Sequence, residues 1–300
     1  KWINKFGFEN YFKGQIKSVN YEAENTDKYK NKGSNSELSS VLGYFGKLGL
    51  YKNDFIKKTF HSLTPKYLLR IAPGHMRNIK GGRLNYGNLF NINKTNEIDV
   101  IENGVSASIG FDYKKNKLDK ENNIGDEVLS FSAGQVVSAQ ENMDIPSSTS
   151  LDQTFSDVVG EAKYNIGKKV SLNYNFSIDQ SYKNFNYNEV GVDFIAKKVK
   201  FNLDYLQEKN HIGNQKFVQS GLDFKLNSFT ELSISSKRNL LTSSAEFYNL
   251  SYNYINDCLK AGIGYRREFY TDRDIEPTNT LMFTISIIPF AKINSPSLSR

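Results

Sequence analysis

The chain reads as an all-β protein, an antiparallel transmembrane β-barrel of about fourteen up-and-down strands. Three observations predict this. Apolar and polar residues alternate with period two along most of the chain, as in VSLNYNFSID at 170–179, where Val170, Leu172, Tyr174, Phe176 and Ile178 share one strand face. Phe (21) and Tyr (18) are abundant beside a single Trp, a profile that suits strands better than helices. The faces opposite the apolar rows carry mostly Ser, Asn, Gly and occasional charges, whereas a soluble barrel facing bulk water favours Lys, Glu and Thr. No apolar run is long enough for a membrane-spanning helix, and no stretch reads as a helix.

Taken in order, period-two segments fall at 6–21, 36–50 and 60–71, then at 105–114, where Val105, Ala107, Ile109, Phe111 and Tyr113 oppose Ser106, Ser108, Gly110, Asp112 and Lys114. They continue at 127–138, 156–166, 170–179, 187–196, 199–207, 216–226, 229–239 and 245–255. The last two are 259–266, with Leu259, Ala261, Ile263 and Tyr265 on one face, and 281–290, with Leu281, Phe283, Ile285 and Ile287. Each is close to the roughly 9–11 residues with which a tilted strand crosses a bilayer. Tyr248, Tyr252, Tyr254, Phe269 and Tyr270 suit an aromatic girdle, although β-propensity also explains them.

Connection lengths support a membrane barrel, in which short turns on one side alternate with long loops on the other. IND (255–257), LNS (226–228), AKK (196–198) and IGKK (166–169) are tight; EAENTDKYKNKGSN, Pro73 to Asp99, QENMDIPSSTSLDQ and TDRDIEPTN are long and polar. KKNKLDKENNIGDE is long for the short side. With the C-terminus periplasmic, the strand that begins at Cys258 ascends, which puts this lone cysteine at the periplasmic rim. A single cysteine forms no disulfide within the chain. The first residues, KWINKFGFEN, read as those of a mature or truncated chain.

The net charge of +7 comes from scattered small clusters without a nucleic-acid-binding motif, so no nucleic-acid partner is expected. His61, His75 and His211 lie far apart in sequence and imply no metal. Nothing selects a serine for a Ser–His pair, so an enzyme is not expected, nor is a cofactor. Lys260 and Arg266 lie on the polar side of their strand. They would either attract phosphates in a lumen or pair with lumen carboxylates such as Asp223 and Glu246. Asp272, Arg273 and Asp274 form either a cation site or a solvated loop tip, and Pro277 punctuates the same loop. The span Pro73–Asp99 holds Gly74, Gly81, Gly82 and Gly87 and the patch Tyr86, Leu89 and Phe90. Long loops of this kind tend to be functional or disordered.

LTPKYLLRIAPGH, GGRLNYGNLFNINK, EIDVIENGVSASIGFDYK and LSFSAGQVV, in this order, resemble the barrel of the outer-membrane LPS-assembly family called LptD or OstA. NDCLKAGIGYRREF followed by LMFTISI is similar to that family's last two strands, and IPSSTSLDQTFSDVVGEAKYN resembles alphaproteobacterial members. The resemblance spans about Leu63 to Phe290. It implies a translocon component that assembles lipopolysaccharide into the outer leaflet, with an open seam for acyl chains and a wet lumen for sugars. A general outer-membrane porin or channel and a surface-binding barrel are the alternatives.

The family's barrel is larger and follows a periplasmic jelly roll, so residues 1–300 are expected to be one domain, the C-terminal, incomplete portion of a barrel. The implied partners are lipopolysaccharide, a plug lipoprotein, and the periplasmic transport bridge reached through the jelly roll. The family's cysteine at this place pairs with one in the N-terminal region, which gives Cys258 a tethering role, and Leu259 stands where a second cysteine is common. The segment with Tyr86, Leu89 and Phe90 is implied to be an outside loop folded into the barrel mouth.

Overall fold

The structure, a computed structural model, describes residues 1–24, 33–95, 97–269, 278–287, 291–294 and 298–299. Its strand segments are β1 (Trp2–Ile3), β2 (Glu9–Ala23), β3 (Gly33–Lys47), β4 (Leu50–Asp54), β5 (Thr59–Ala72), β6 (Gly104–Leu118), β7 (Ile124–Ser138), β8 (Val158–Ile166) and β9 (Val170–Ile178). There follow β10 (Phe185–Ile195), β11 (Val199–Glu208), β12 (Gln215–Lys225), β13 (Thr230–Asn239), β14 (Ser244–Ile255), β15 (Leu259–Glu268), β16 (Asn279–Ile287), β17 (Ala291–Asn294) and β18 (Leu298–Ser299). The protein has the all-β, antiparallel class of an outer-membrane β-barrel, and no described helix is long and apolar enough to cross a membrane. The segments outnumber the expected strands because β1, β17 and β18 are very short and the expected strand 36–50 is divided.

That division has a local cause. β3 and β4 pair with β5 in one unbroken register, Lys47 opposite Lys66 and Leu50 opposite Leu63. The gap falls opposite Pro65, whose carbonyl accepts from Leu48 N–H at 3.0 Å. Proline has no N–H to return, so the ladder lapses there and resumes two residues on. The long turn expected around KKNKLDKENNIGDE is mostly strand: β6 and β7 reach Leu118 and Ile124. The remaining turn is tied by Asp119 Oδ1, which accepts the N–H groups of Glu121 and Asn123.

The expectation that no helix exists is corrected by α1 (Tyr86–Leu89) and by 3-10 turns at Ser147–Thr149 and Asn210–Ile212. These are single turns, too short for helical periodicity to register in sequence. α1 owes its existence to capping. The Asn85 side chain accepts from Asn88 N–H, and the Asn88 side chain accepts from Asn85 N–H.

The chain divides into two compact units. Unit one comprises 1–164, 174–188 and 208–214. Its strands pair antiparallel in chain order from β1 through β3, β5 and β6 to β8, with β4 beside β5. One face of this sheet carries Phe12, Ile16, Leu38, Leu42, Leu69, Ile71, Val105 and Ile109, all exposed. The other carries Arg70, Ser106, Ser108 and Ser132, all buried. A protein folded in water does the reverse, and only a lipid surround satisfies an outward apolar face of this kind.

Unit two comprises 165–173, 189–207 and 215–300. Here β12 to β16 form an antiparallel meander. Leu222, Ile234, Leu250, Tyr252, Ile263, Tyr265, Phe283 and Ile285 lie exposed on one face. The registers place Asp223, Ser233, Ser235, Asn249, Ser251, Asn253, Gly262, Gly264 and Thr284 on the other. Tyr248, Tyr252 and Tyr254 share the apolar face of β14, as a girdle requires, and Tyr248 meets Phe269 edge-on at 5.6 Å. Tyr270, Asp272, Arg273, Asp274 and Pro277 lie outside the described residues, as does the end of the strand expected at 281–290.

Candidate functional site

In unit one the polar face is covered by the chain itself. Residues 73–103 leave the sheet after β5, and α1 presents Tyr86, Leu89 and Phe90 to β5–β7. The Tyr86 hydroxyl donates to Asp112 Oδ1 at 2.5 Å and lies 3.1 Å from the Phe111 carbonyl. Burial, reinforced by this carboxylate, pushes the Tyr86 phenol up. Lys66 pairs with Asp112, and its Nζ lies 5.7 and 5.5 Å from the ring centroids of Tyr86 and Phe90. Phe90 meets Phe45 edge-on at 6.1 Å.

Leu89 is 0% exposed. It sits where Gly110 of β6 faces Gly134 of β7 in register. A Cβ on Gly134 would collide with Leu89, and one on Gly110 would approach Phe90 to 3.2 Å. One rung with no side chain at either end therefore forms the slot that seats the segment. Around it Met76, Ile79, Leu84, Tyr86, Leu89, Val100, Val136, Ile145, Leu151 and Val159 make a dry core. Residues 139–157, between β7 and β8, supply Ile145 and Leu151. The wet lumen implied by the resemblance is thus corrected for unit one: folded chain, not water, meets much of its polar face.

The same segment carries charge inward. Arg70, Lys94 and Glu102 are almost wholly buried. Arg70 Nε donates to the Ile92 carbonyl at 2.7 Å, and its Nη1 lies 3.6 Å from Glu102 Oε1. Lys94 Nζ lies 3.8 Å from the same oxygen without a hydrogen-bond partner. Burial, and secondarily the Arg70 charge, lower the Lys94 ammonium to about 8, against the pull of Glu102. Arg77 pairs with Glu37 at 3.0 Å and Asp99 at 3.2 Å, which ties the segment to β3.

A polar clasp closes the unit. Asp157 Oδ2 accepts from Ser177 Oγ at 2.7 Å and Asn186 Nδ2 at 2.9 Å, and His211 Nε2 stands 3.2 Å away. The bond to Asp157 raises the His211 pKa against the effect of burial. Arg83 donates to Glu208 at 2.9 Å and stacks on Tyr187 at 3.9 Å. Ser177 and His211 both turn to Asp157 rather than to each other, so the clasp is no nucleophile–base pair. His61 lies between Thr59 Oγ1 (3.0 Å) and the Tyr113 hydroxyl (2.8 Å), and His75 is 4.0 Å from Glu37. Among the described residues no cluster of three His, Cys, Asp or Glu is placed to hold a metal.

In unit two the four polar residues singled out from sequence, Lys260, Arg266, Asp223 and Glu246, all lie on the polar face. Simple alternation sets Glu246 beside Tyr248 on the apolar face. A β-bulge, where Lys237 opposes Phe247 but Arg238 opposes Ala245, turns it inward to Lys237 Nζ at 2.7 Å. Arg266 pairs with Glu268 at 2.5 Å and lies 4.4 Å from the Phe247 ring centroid. Arg266 and Glu246 line one cavity of about 460 Å³ with Lys237, Glu268 and Phe269. Asp223 and Lys260 have no ion-pair partner among the described residues and are brought to neither ion pair. Cys258 is exposed as a free thiol, in a turn where Asn256 Oδ1 accepts the N–H of Cys258 at 3.0 Å and of Leu259 at 2.7 Å.

Residues 1–254 match the family described as LptD, LPS transport system D. The chain belongs to this family. The match starts before the expected Leu63 and stops short of Cys258, so strands β15 and β16 lie beyond it. No curated protein matches. Among solved structures, a triple mutant of the Rhodopseudomonas blastica porin is similar at 10% identity over 97% of this chain and 98% of that chain, with a TM-score of 0.38. Another mutant porin from that organism is similar at 11% identity over 98% of each chain, also at 0.38. Likenesses this loose carry no functional argument. As a member of the family, the chain is an outer-membrane β-barrel transport protein.

Proposed function

We propose that the chain assembles lipopolysaccharide into the outer leaflet, as part of a translocon rather than as a general diffusion channel. Beside family membership, one observation carries this reading: a folded segment with a dry core is locked onto the polar face of unit one through Leu89, Tyr86 and the Arg70–Glu102–Lys94 cluster. The polar face of unit two, with Asp223, Lys260 and the Lys237–Glu246 cavity, is the surface offered to sugars and phosphates.

A plug lipoprotein and a periplasmic bridge are the partners this reading calls for. Exposed Cys258 would tether the barrel to a cysteine upstream. A photo-crosslinking residue at Asp223 or Lys260 should capture lipopolysaccharide in cells. Ion-conductance steps from the purified chain, without such capture, would instead support a porin. Non-reducing electrophoresis of the full-length product should show a mobility shift that Cys258→Ser abolishes; unchanged mobility removes the tether.

A further inference from the structure

The short connections of unit one, 55–58 after β4 and 119–123 after β6, lie at the opposite end of its sheet from the long ones, 73–103 and 139–157. In an outer-membrane barrel the short-turn end is periplasmic. Toward that end the outward face stays apolar through the row Leu50, Leu63, Tyr113 and Phe131. The next row changes chemistry. Lys52, His61 and Lys115 stand side by side on β4, β5 and β6, and Lys117 follows one row further out, opposite Thr59. His61 touches the Tyr113 hydroxyl above it and Thr59 Oγ1 below it, so these rows share one face. Lysines on the two faces of these strands fare differently. Inward, Lys47 pairs with Glu9 at 3.2 Å, Lys66 with Asp112, and Lys114 with Glu127 at 3.5 Å. Outward, Lys52, Lys115 and Lys117 have no ion-pair partner among the described residues. The acid in their rows, Asp54, accepts the Lys57 N–H at 2.9 Å within the turn.

We infer that this lysine ledge holds the headgroup of an anionic glycerophospholipid of the periplasmic leaflet, whose acyl chains lie on the apolar rows above. Lysine stems cover apolar wall while their ammonium groups reach headgroup level, and Tyr113, its ring among the apolar residues and its hydroxyl on His61, marks that level. Lys52 and Lys115 are two strand spacings apart, roughly 10 Å, so one phosphate seated over His61 is within reach of both long side chains. The ledge continues the lipid-facing wall strand by strand, which favours a lipid headgroup over an acidic protein segment. A zwitterionic lipid gains less, because its own ammonium meets the same cations. The inference does not depend on which cargo the barrel moves.

Native mass spectrometry of the folded chain, released from vesicles of equal phosphatidylglycerol and phosphatidylethanolamine, tests it. The expected result is retained phosphatidylglycerol, favoured about tenfold over phosphatidylethanolamine, as two or three unpaired lysines at a membrane surface allow. Lys52→Gln, Lys115→Gln and Lys117→Gln together should bring the two lipids to near-equal retention. Lys52→Gln with Lys117→Gln, both at exposed positions, serves the same end should the triple variant not fold by its circular dichroism. Lys47→Gln with Lys114→Gln, a loss of charge on the inward face, should leave the preference as it was. Equal retention by the unsubstituted chain, an unchanged preference in a folded ledge variant, or an equal loss in the inward variant would each overturn the inference. So would ledge substitutions that release added lipopolysaccharide in place of phosphatidylglycerol.

Discussion

Every buried apolar side chain among the described residues belongs to unit one, and unit two has none. The two share a strand pattern, apolar outward and polar inward, yet settle the inward face differently. Unit one dries it with residues 73–103 and 139–157 and must then satisfy buried Arg70, Lys94 and Arg77. Unit two leaves Ser, Asn and Gly rows open, with Lys237–Glu246 and Arg266–Glu268 paired around a cavity. The lesson is that period-two patterning fixes which side meets lipid but not what meets the other side. That is decided by what the long connections carry.

The sharpest way to break the contrast is Glu102→Gln, which leaves Arg70 and Lys94 as buried cations without a counter-charge. It should destabilise unit one by about 3–5 kcal/mol, seen as a lower urea midpoint in vesicles. Leu89→Ala should cost about 2–5 kcal/mol and speed amide exchange through 84–92. Asn249→Ala, on the open face of unit two, should stay within about 0.5 kcal/mol in the same assay. Equal costs at these two positions would show that both inward faces are filled.

Two smaller effects sharpen the comparison. The folded His211 pKa is raised, so the clasp to Asp157 is complete below the ordinary histidine range and weakens as pH rises through the raised value. Protection of the amides at 209–213, measured relative to their base-catalysed intrinsic exchange rates, should therefore be greater at about pH 6 than at about pH 9, and His211→Gln should flatten the difference in protection. Smallest is Glu246→Gln, which frees Lys237 in a partly exposed pair. It should cost under about 1 kcal/mol, with the loss shrinking in high salt.

Much of the fold was legible because a strand displays its two faces residue by residue. The segments at 105–114, 170–179 and 259–266 read directly, as did the tight turns at 196–198 and 226–228. What did not read was produced by pairing. The bulge that turns Glu246 inward depends on β13, the lapse at Leu48 depends on Pro65 in another strand, and α1 depends on a capping box one turn long. Of the site, Tyr86, Leu89 and Phe90 stood out as an aromatic and apolar patch in a glycine-rich loop. Arg70, Lys94 and Glu102 did not, because nothing along the chain announces that three ordinary charges will be shut together. Two glycines, Gly110 and Gly134, were the available signal for where the loop would land, and they only speak once β6 and β7 are set in register.

The glycine slot has a consequence for how the inner segment comes and goes. Its seat is made of missing atoms, a keyhole cut at one rung, while the ladder of β6 and β7 runs on beneath it. Undocking the strap would break no backbone pairing between β6 and β7. A Cβ at either glycine would also meet the backbone of the facing strand, 2.5 Å from the Ala133 carbonyl oxygen at Gly110 and 2.6 Å from the Ile109 carbonyl oxygen at Gly134, so the bare rung serves the β6–β7 pairing and the strap's seat at once.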